Sequence, residues 1–287
     1  MAGMPGRTIP PESWFARTPY ADPTLAWRRA ILRETLQAIA ARPGHHTALA
    51  RANLARWHRT ATPPAGPRIL VLPSDWGEAT GQLTRDHGVA FAVLNMANAF
   101  VAGGGYVEGM AAQEENLFRR TDCHFHVPDT DLQPDGLSYR PELTRRIEGR
   151  DGRVYLDVAA PRVCVRGPEV PGRRAGYACL ADDEVFPFFE LRAAARDYRD
   201  GAPFDADDAR RRIQAQLDTL AAAGLRHAVL GASGCGAFQN PPDRIAQLYR
   251  DELDRRAGAF DCIAFAVFHA GYGPDNFAVF ERALATC

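Results

Sequence analysis

The chain has 287 residues, of which 46% are hydrophobic and 24% charged, and its formal net charge is −1. That length buries a sizeable core, as one large domain or as a domain of about 200 residues with an added segment, and the composition excludes a disordered chain. The near-zero charge excludes a global basic field for polyanions, so an anionic ligand must be held by backbone amides, helix ends or a few arginines.

All 34 basic residues are arginine, which fits GC-rich coding and a bacterial source and carries no functional meaning. The six cysteines, Cys123, Cys164, Cys179, Cys235, Cys262 and Cys287, lack paired short spacings. This argues against a disulfide framework and against a zinc ribbon. Residues 1–11 carry proline and glycine where a signal peptide needs an apolar run, and no apolar stretch approaches the ~18 residues of a membrane span. A soluble, cytoplasmic protein is the expectation.

In chain order, apolar residues Leu25, Trp27, Ile31, Leu32, Leu36 and Ile39 recur at helical spacing over residues 23–42, and a second helical run covers 47–57. Together they predict an N-terminal helical extension over residues 1–66, closed by the breaker cluster Thr62-Pro63-Pro64-Ala65-Gly66-Pro67. Residues 67–287 then read as the main domain. Strands are expected at 68–72, 89–94, 227–231 and 263–268, and helices at 79–87 and 242–256. Alternation of this kind predicts an α/β layered domain with a largely parallel, buried sheet, in which ligands bind at the carboxyl ends of strands. Residues 129–174, rich in Pro, Gly, Asp and Arg, read as an irregular insert with edge strands. Residues 184–200, with Phe186, Phe188 and Phe189, read as a helix.

Two segments carry chemistry. In the first, an apolar strand runs into Asn95-Met96-Ala97-Asn98, then Gly103-Gly104-Gly105, then Gln113-Glu114-Glu115. Three glycines allow positive φ and a close backbone approach, so their amides can face a phosphate or a ribose; a plain surface loop is the alternative. In the second, a strand ends in Gly231-Ala232-Ser233-Gly234-Cys235-Gly236-Ala237-Phe238-Gln239-Asn240 before a helix. That is a second amide cradle, with a helix N-terminus behind it to favour a pyrophosphate. Cys235 has no basic partner in the loop and reads as a small turn residue rather than a nucleophile.

Seven residues separate Gly105 from Gln113, and three glycines followed at this distance by Gln-Glu-Glu resemble the signature of the poly(ADP-ribose) glycohydrolases, a macro-domain family. Phe118-Arg119-Arg120 resembles the compact bacterial branch, and the second loop resembles the diphosphate-binding loop of macro domains. The resemblance implies a three-layer macro-domain α/β sheet flanked by helices, and cleavage of ribose–ribose bonds to release ADP-ribose. It departs from the bacterial pattern at Val101-Ala102, where relatives have Asn-Pro. The ribose-contacting asparagine is therefore assigned to Asn98, with Asn95 in reserve. Substrate contacts are expected from Gly103, Gly104, Gly105, Gln113, Ser233, Gly234, Cys235, Gly236, Ala237, Phe238 and Tyr272. Of the other aromatics, Tyr106 is a further candidate, Asn276 stays open, and Phe268 reads as core.

Glycoside hydrolysis ordinarily uses two carboxylates at least ~5 Å apart across the bond, an arrangement that adjacent residues on one helix do not provide. One glutamate must therefore act alone. The resemblance makes it Glu115, as acid and then base, with Glu114 orienting a ribose hydroxyl, and this requires a buried Glu115. The cluster Cys123-His124-Phe125-His126, with Asp129 and Asp131 nearby, lacks a third histidine in register, so neither a metal nor a cofactor is expected. The expected partners are poly(ADP-ribose), ADP-ribose and ADP-ribosylated proteins, with no direct DNA or membrane binding. The competing readings are a mono-ADP-ribosyl hydrolase, a non-catalytic ADP-ribose reader and a general nucleotide site; the last lacks a Walker lysine.

Overall fold

The structure is a computed structural model that describes residues 7–15, 22–63, 65–170, 173–269 and 274–284. Three helices come first, α1 (Glu12–Phe15), α2 (Pro23–Ala41) and α3 (His45–Thr60). There follow β1 (Arg68–Leu72), α4 (Trp76–His87), β2 (Ala92–Met96), α5 (Gln113–Arg120) and α6 (Pro141–Ile147). Short strands β3 (Tyr155–Leu156), β4 (Arg162–Cys164), β5 (Glu169–Val170) and β6 (Ala175–Gly176) lead to the long β7 (Phe186–Ala193). The chain continues with α7 (Ala206–Ala222), β8 (His227–Leu230), α8 (Pro242–Asp254), β9 (Cys262–Ala266) and α9 (Phe277–Leu284).

The main sheet has the order β1-β9-β8-β2-β7-β3, with β4 also on β7. The pairs from β1 through β7 are parallel, and β3 and β4 join β7 antiparallel. Successive side chains on a strand alternate between faces, and this builds three layers. Val93, Phe188, Val229 and Ala264 pack into one core with Leu36, Trp57, Trp76 and Phe118 of α2 to α5. Ala92, Leu94, Leu191, Ala228 and Phe265 pack into a second core with Ile213, Leu248 and Phe280 of α7 to α9. The N-terminal helices therefore share the core of the sheet.

The segment expected as a helix at 184–200 is instead the strand β7. Its sequence FPFFELRA is aromatic and buried along nearly its whole length, which suits a strand covered on both faces. A strand was missed here because one that is buried on both faces shows no alternation of apolar and polar residues. The strand expected at 89–94 forms at Ala92–Met96. The 129–174 insert contains helix α6 as well as short strands.

Candidate active site

β2 lies between β8 and β7 and ends at the carboxyl edge of the sheet, where ligands of such sheets bind. Beyond it the side-chain oxygen of Asn98 accepts hydrogen bonds from the amides of Phe100 at 2.8 Å and Val101 at 3.0 Å. This turn commits the Asn98 carbonyl to shaping the loop. Gly103 and Gly104 follow at φ 76 and 57, backbone that L side chains rarely adopt. The Gly104 amide donates to Val101 O at 3.1 Å and the Gly105 amide to Oε1 of Glu115 at 3.0 Å. These two amides thus hold the loop and the glutamate.

Gln113 opens α5 and clamps it to β2: its Oε1 accepts from Met96 N and its Nε2 donates to Leu94 O, both at 2.9 Å. The clamp places Glu114 and Glu115 in the first turn, at the positive end of the helix. Successive side chains on a helix leave it about 100° apart, yet both carboxyls reach the space beside Gly104, where a Cβ would stand 2.5 Å from Glu115 Oε1 and 3.1 Å from Glu114 Oε2. Both are buried, at 3% and 9% exposure. Glu114 Oε2 accepts from the Asn98 amide at 2.6 Å, and Oε1 meets Asn95 Nδ2 at 3.5 Å. Glu115 Oε2 is buried with no partner among the described residues. Burial, and then the Glu115 carboxylate beside it, pushes the Glu114 carboxyl well above the usual range.

β8 delivers the second loop one strand away. Asn240 ties it closed, donating to the carbonyls of Arg196, Gly234 and Phe238 at 2.8, 3.1 and 3.3 Å. Gly234, at φ 73, leaves room for Asn240, since a Cβ would come within 2.5 Å of its Nδ2. Among the described residues no acceptor meets the amides of Gly236, Ala237 and Phe238. Gly236 and Ala237 are exposed, and α8 begins just behind them. Ser233 and Cys235 are buried, and burial pushes the Cys235 thiol up to about 12. Phe238 is half-buried, with the Arg199 guanidinium 5.5 Å from its ring centre.

Other expectations fall differently. Phe268 is exposed at 45%, two residues past the end of β9 at Ala266, rather than in the core. Tyr106 is fully buried, its hydroxyl 2.8 Å from His124 Nδ1, and packs on Phe118. Tyr272 lies outside the described residues. Cys123–His126 is a 3-10 turn rather than a strand, and among the described residues no group of three or more His, Cys, Asp or Glu could hold a metal. Asn95, the reserve for the ribose, is fully buried and bonded to Glu190 at 2.9 Å. Sequence reasoning gave no role to Asn240 or to Glu190. The charged Glu190 and Arg192, alternating inside an apolar run, were the available signal for the second.

A layered sheet with two glycine loops at its carboxyl edge and a buried carboxyl pair between strand and helix defines a macro-domain hydrolase. Residues 29–131, from within α2 to past α5, match the family described as microbial-type poly(ADP-ribose) glycohydrolase (PARG), catalytic domain. The PARG of Thermomonospora curvata is 25% identical at a TM-score of 0.63, over 89% of this chain and 98% of that one. The same enzyme bound to the inhibitor ADP-HPD gives 24% and 0.62 over the same shares. The PARG of Deinococcus radiodurans in complex with ADP-ribose gives 25% and 0.53, over 84% and 92%. No curated protein matches in sequence. The likenesses are thus to bacterial-type poly(ADP-ribose) glycohydrolases, with the family match confined to residues 29–131.

Proposed function

We propose that this protein hydrolyses the ribose–ribose O-glycosidic bonds of poly(ADP-ribose) to release ADP-ribose, with Glu115 as general acid and then base. One observation carries the choice of Glu115 over its neighbour. Of the four oxygens in the carboxyl pair, both of Glu114 and one of Glu115 face protein donors, whereas Glu115 Oε2 has none. It is the oxygen free to give a proton to the leaving ribose oxygen and to take one from water afterwards. Glu114 orients a ribose hydroxyl beside it.

The amides of Gly236, Ala237 and Phe238, with the start of α8 behind them, cradle the pyrophosphate, and Ser233, Gly234 and Cys235 shape that cradle. Phe238 stacks on the adenine or packs on a ribose, and Tyr272 is a further candidate. Gly103, Gly104 and Gly105 line the reacting ribose, while Asn98 and Gln113 hold that wall in place. The Deinococcus relative was solved in complex with ADP-ribose, which supports ADP-ribose as the ligand. We assign residues 1–66 to a helical extension, whose α2 and α3 pack into the core of the catalytic domain of 67–287. In this reading polymer on ADP-ribosylated proteins is the substrate, DNA is not contacted directly, and the enzyme works in the cytoplasm. Among the described residues no helix is long and apolar enough to cross a membrane.

The test is product analysis on two substrates, polymer and protein carrying single ADP-ribose units. Release of ADP-ribose from the polymer supports the assignment. Release from the single-unit substrate alone makes the protein a mono-ADP-ribosyl hydrolase, and binding without release makes it a reader.

A further inference from the structure

Behind the carboxyl pair, the face of the sheet turned towards α5 carries charge where an apolar layer would be cheaper. Glu190, Arg192 and Arg162 are all fully buried. Glu190 accepts from Arg192 Nε at 2.7 Å and Nη2 at 2.9 Å, and from Arg162 Nε at 3.2 Å. Burial works to raise the Glu190 carboxyl, but Arg192 and Arg162 override it and hold it down at about 2, so it stays ionised. Ions taken out of water cost several kcal/mol each unless well paired, and this cluster offers the core nothing that well-packed apolar side chains would not.

Its link to the site is Asn95. The register of β2 on β7 sets Asn95 opposite Arg192, and Asn95 Nδ2 stands 2.9 Å from Glu190 Oε1 and 3.5 Å from Glu114 Oε1. An anionic Glu190 accepts only a donor, so it fixes which end of the Asn95 amide points outward. The cost is visible, since Asn95 Oδ1 is buried without a partner among the described residues. Asn95 itself is fully buried.

We propose that Glu190, held by its two arginines, acts through Asn95 as a positioning device for Glu114. It keeps an N–H aimed at the one Glu114 oxygen that the Asn98 amide does not hold. Asn95 and Glu190 are then positioning residues for the ribose-orienting carboxyl. This inference rests on the assignment of Glu114 to the reacting ribose.

The charged and titratable groups coupled to the two partners of Asn95, Glu114 and Glu190, are Glu115 from α5, Arg192 from β7, Arg162 from β4, and the buried Tyr106 and Tyr139. The experiment compares kcat on polymer between pH 5 and pH 8 for wild type, Asn95→Ala and Asn95→Asp, with a thermal melt of each. Asn95→Ala lowers kcat about tenfold or more, as misplaced catalytic groups do. Asn95→Asp sets a third carboxyl against two others. At pH 8 it is slower than Asn95→Ala, and it recovers as the pH falls and the new carboxyl gains a proton to donate. A packing role alone gives no such pH-dependent gap. If Asn95→Asp does not fold, Asn95→Ser, which keeps a donor, must exceed Asn95→Ala in kcat. With wild type active, an Asn95→Ala enzyme within twofold of it overturns the proposal. So do identical pH profiles for the two variants, or, in the fallback, equal rates for Ser and Ala. An inactive wild type sinks the functional assignment, and this inference with it.

Discussion

The Gly105 amide donates to Oε1 of Glu115 at 3.0 Å, so the glycine loop grips the glutamate by one oxygen and leaves Oε2 without a partner. The glycines therefore do more than permit a close ligand. They set the position of the acid itself, and the sensitivity of the site to small changes follows from that contact.

Gly104→Ala tests this directly. A Cβ there would sit 2.5 Å from Glu115 Oε1, at a φ of 57 that disfavours alanine by about 1 kcal/mol or more. The carboxyl must move by a fraction of an ångström to an ångström, and displacements of that size cost about 100-fold in rate. We expect kcat to fall by that order while the melting temperature drops only about 2–4 °C per kcal/mol. Unchanged turnover would mean that the loop does not set the acid.

Cys235 sits inside the second loop without acting as a nucleophile. Its thiol is buried and pushed up to about 12, so almost none is thiolate at neutral pH. Cys235→Ser is expected to keep turnover within a few fold, and iodoacetamide to leave the native enzyme active. Rapid inactivation by iodoacetamide with Cys235 alkylated, prevented by ADP-ribose, would reverse that view.

Much of this was legible in the sequence, and the failures share a cause. Strand β1 at Arg68–Leu72 and helix α8 from Pro242 were readable because Pro and Gly punctuate them and their apolar periods are clean. β7 was misread because its two faces are both covered, and that erases the alternation that marks a strand. Glu114 and Glu115 were readable through their spacing from the glycines. The Glu190–Asn95 link was not, since it joins residues 95 positions apart that only the β2–β7 register brings together. Phe268 was read as core because the end of β9 was placed two residues too late.

His124 predicts an acid limit to stability. Neutral, it fits between the Tyr106 hydroxyl at 2.8 Å and Thr8 O at 2.9 Å, and burial lowers its pKa to about 4. The unfolded chain therefore binds a proton below about pH 6.5 that the folded chain refuses until about pH 4, and stability falls as pH drops through that window. The shift corresponds to roughly 3 kcal/mol at most. Urea denaturation at pH 4.5 and 7 should show the loss in wild type and a smaller one in His124→Gln. Equal losses in both would place the acid sensitivity elsewhere.

The most direct measurement follows ADP-ribose released from poly(ADP-ribose) by wild type, Glu115→Gln and Glu114→Gln, with ADP-ribose binding measured in parallel. Glu115→Gln keeps the shape and the Gly105 contact partner but removes the acid. The account predicts that its turnover disappears while its affinity for ADP-ribose stays within a few fold of wild type, and that Glu114→Gln is slowed with weaker binding. Retained turnover in Glu115→Gln would contradict the central claim.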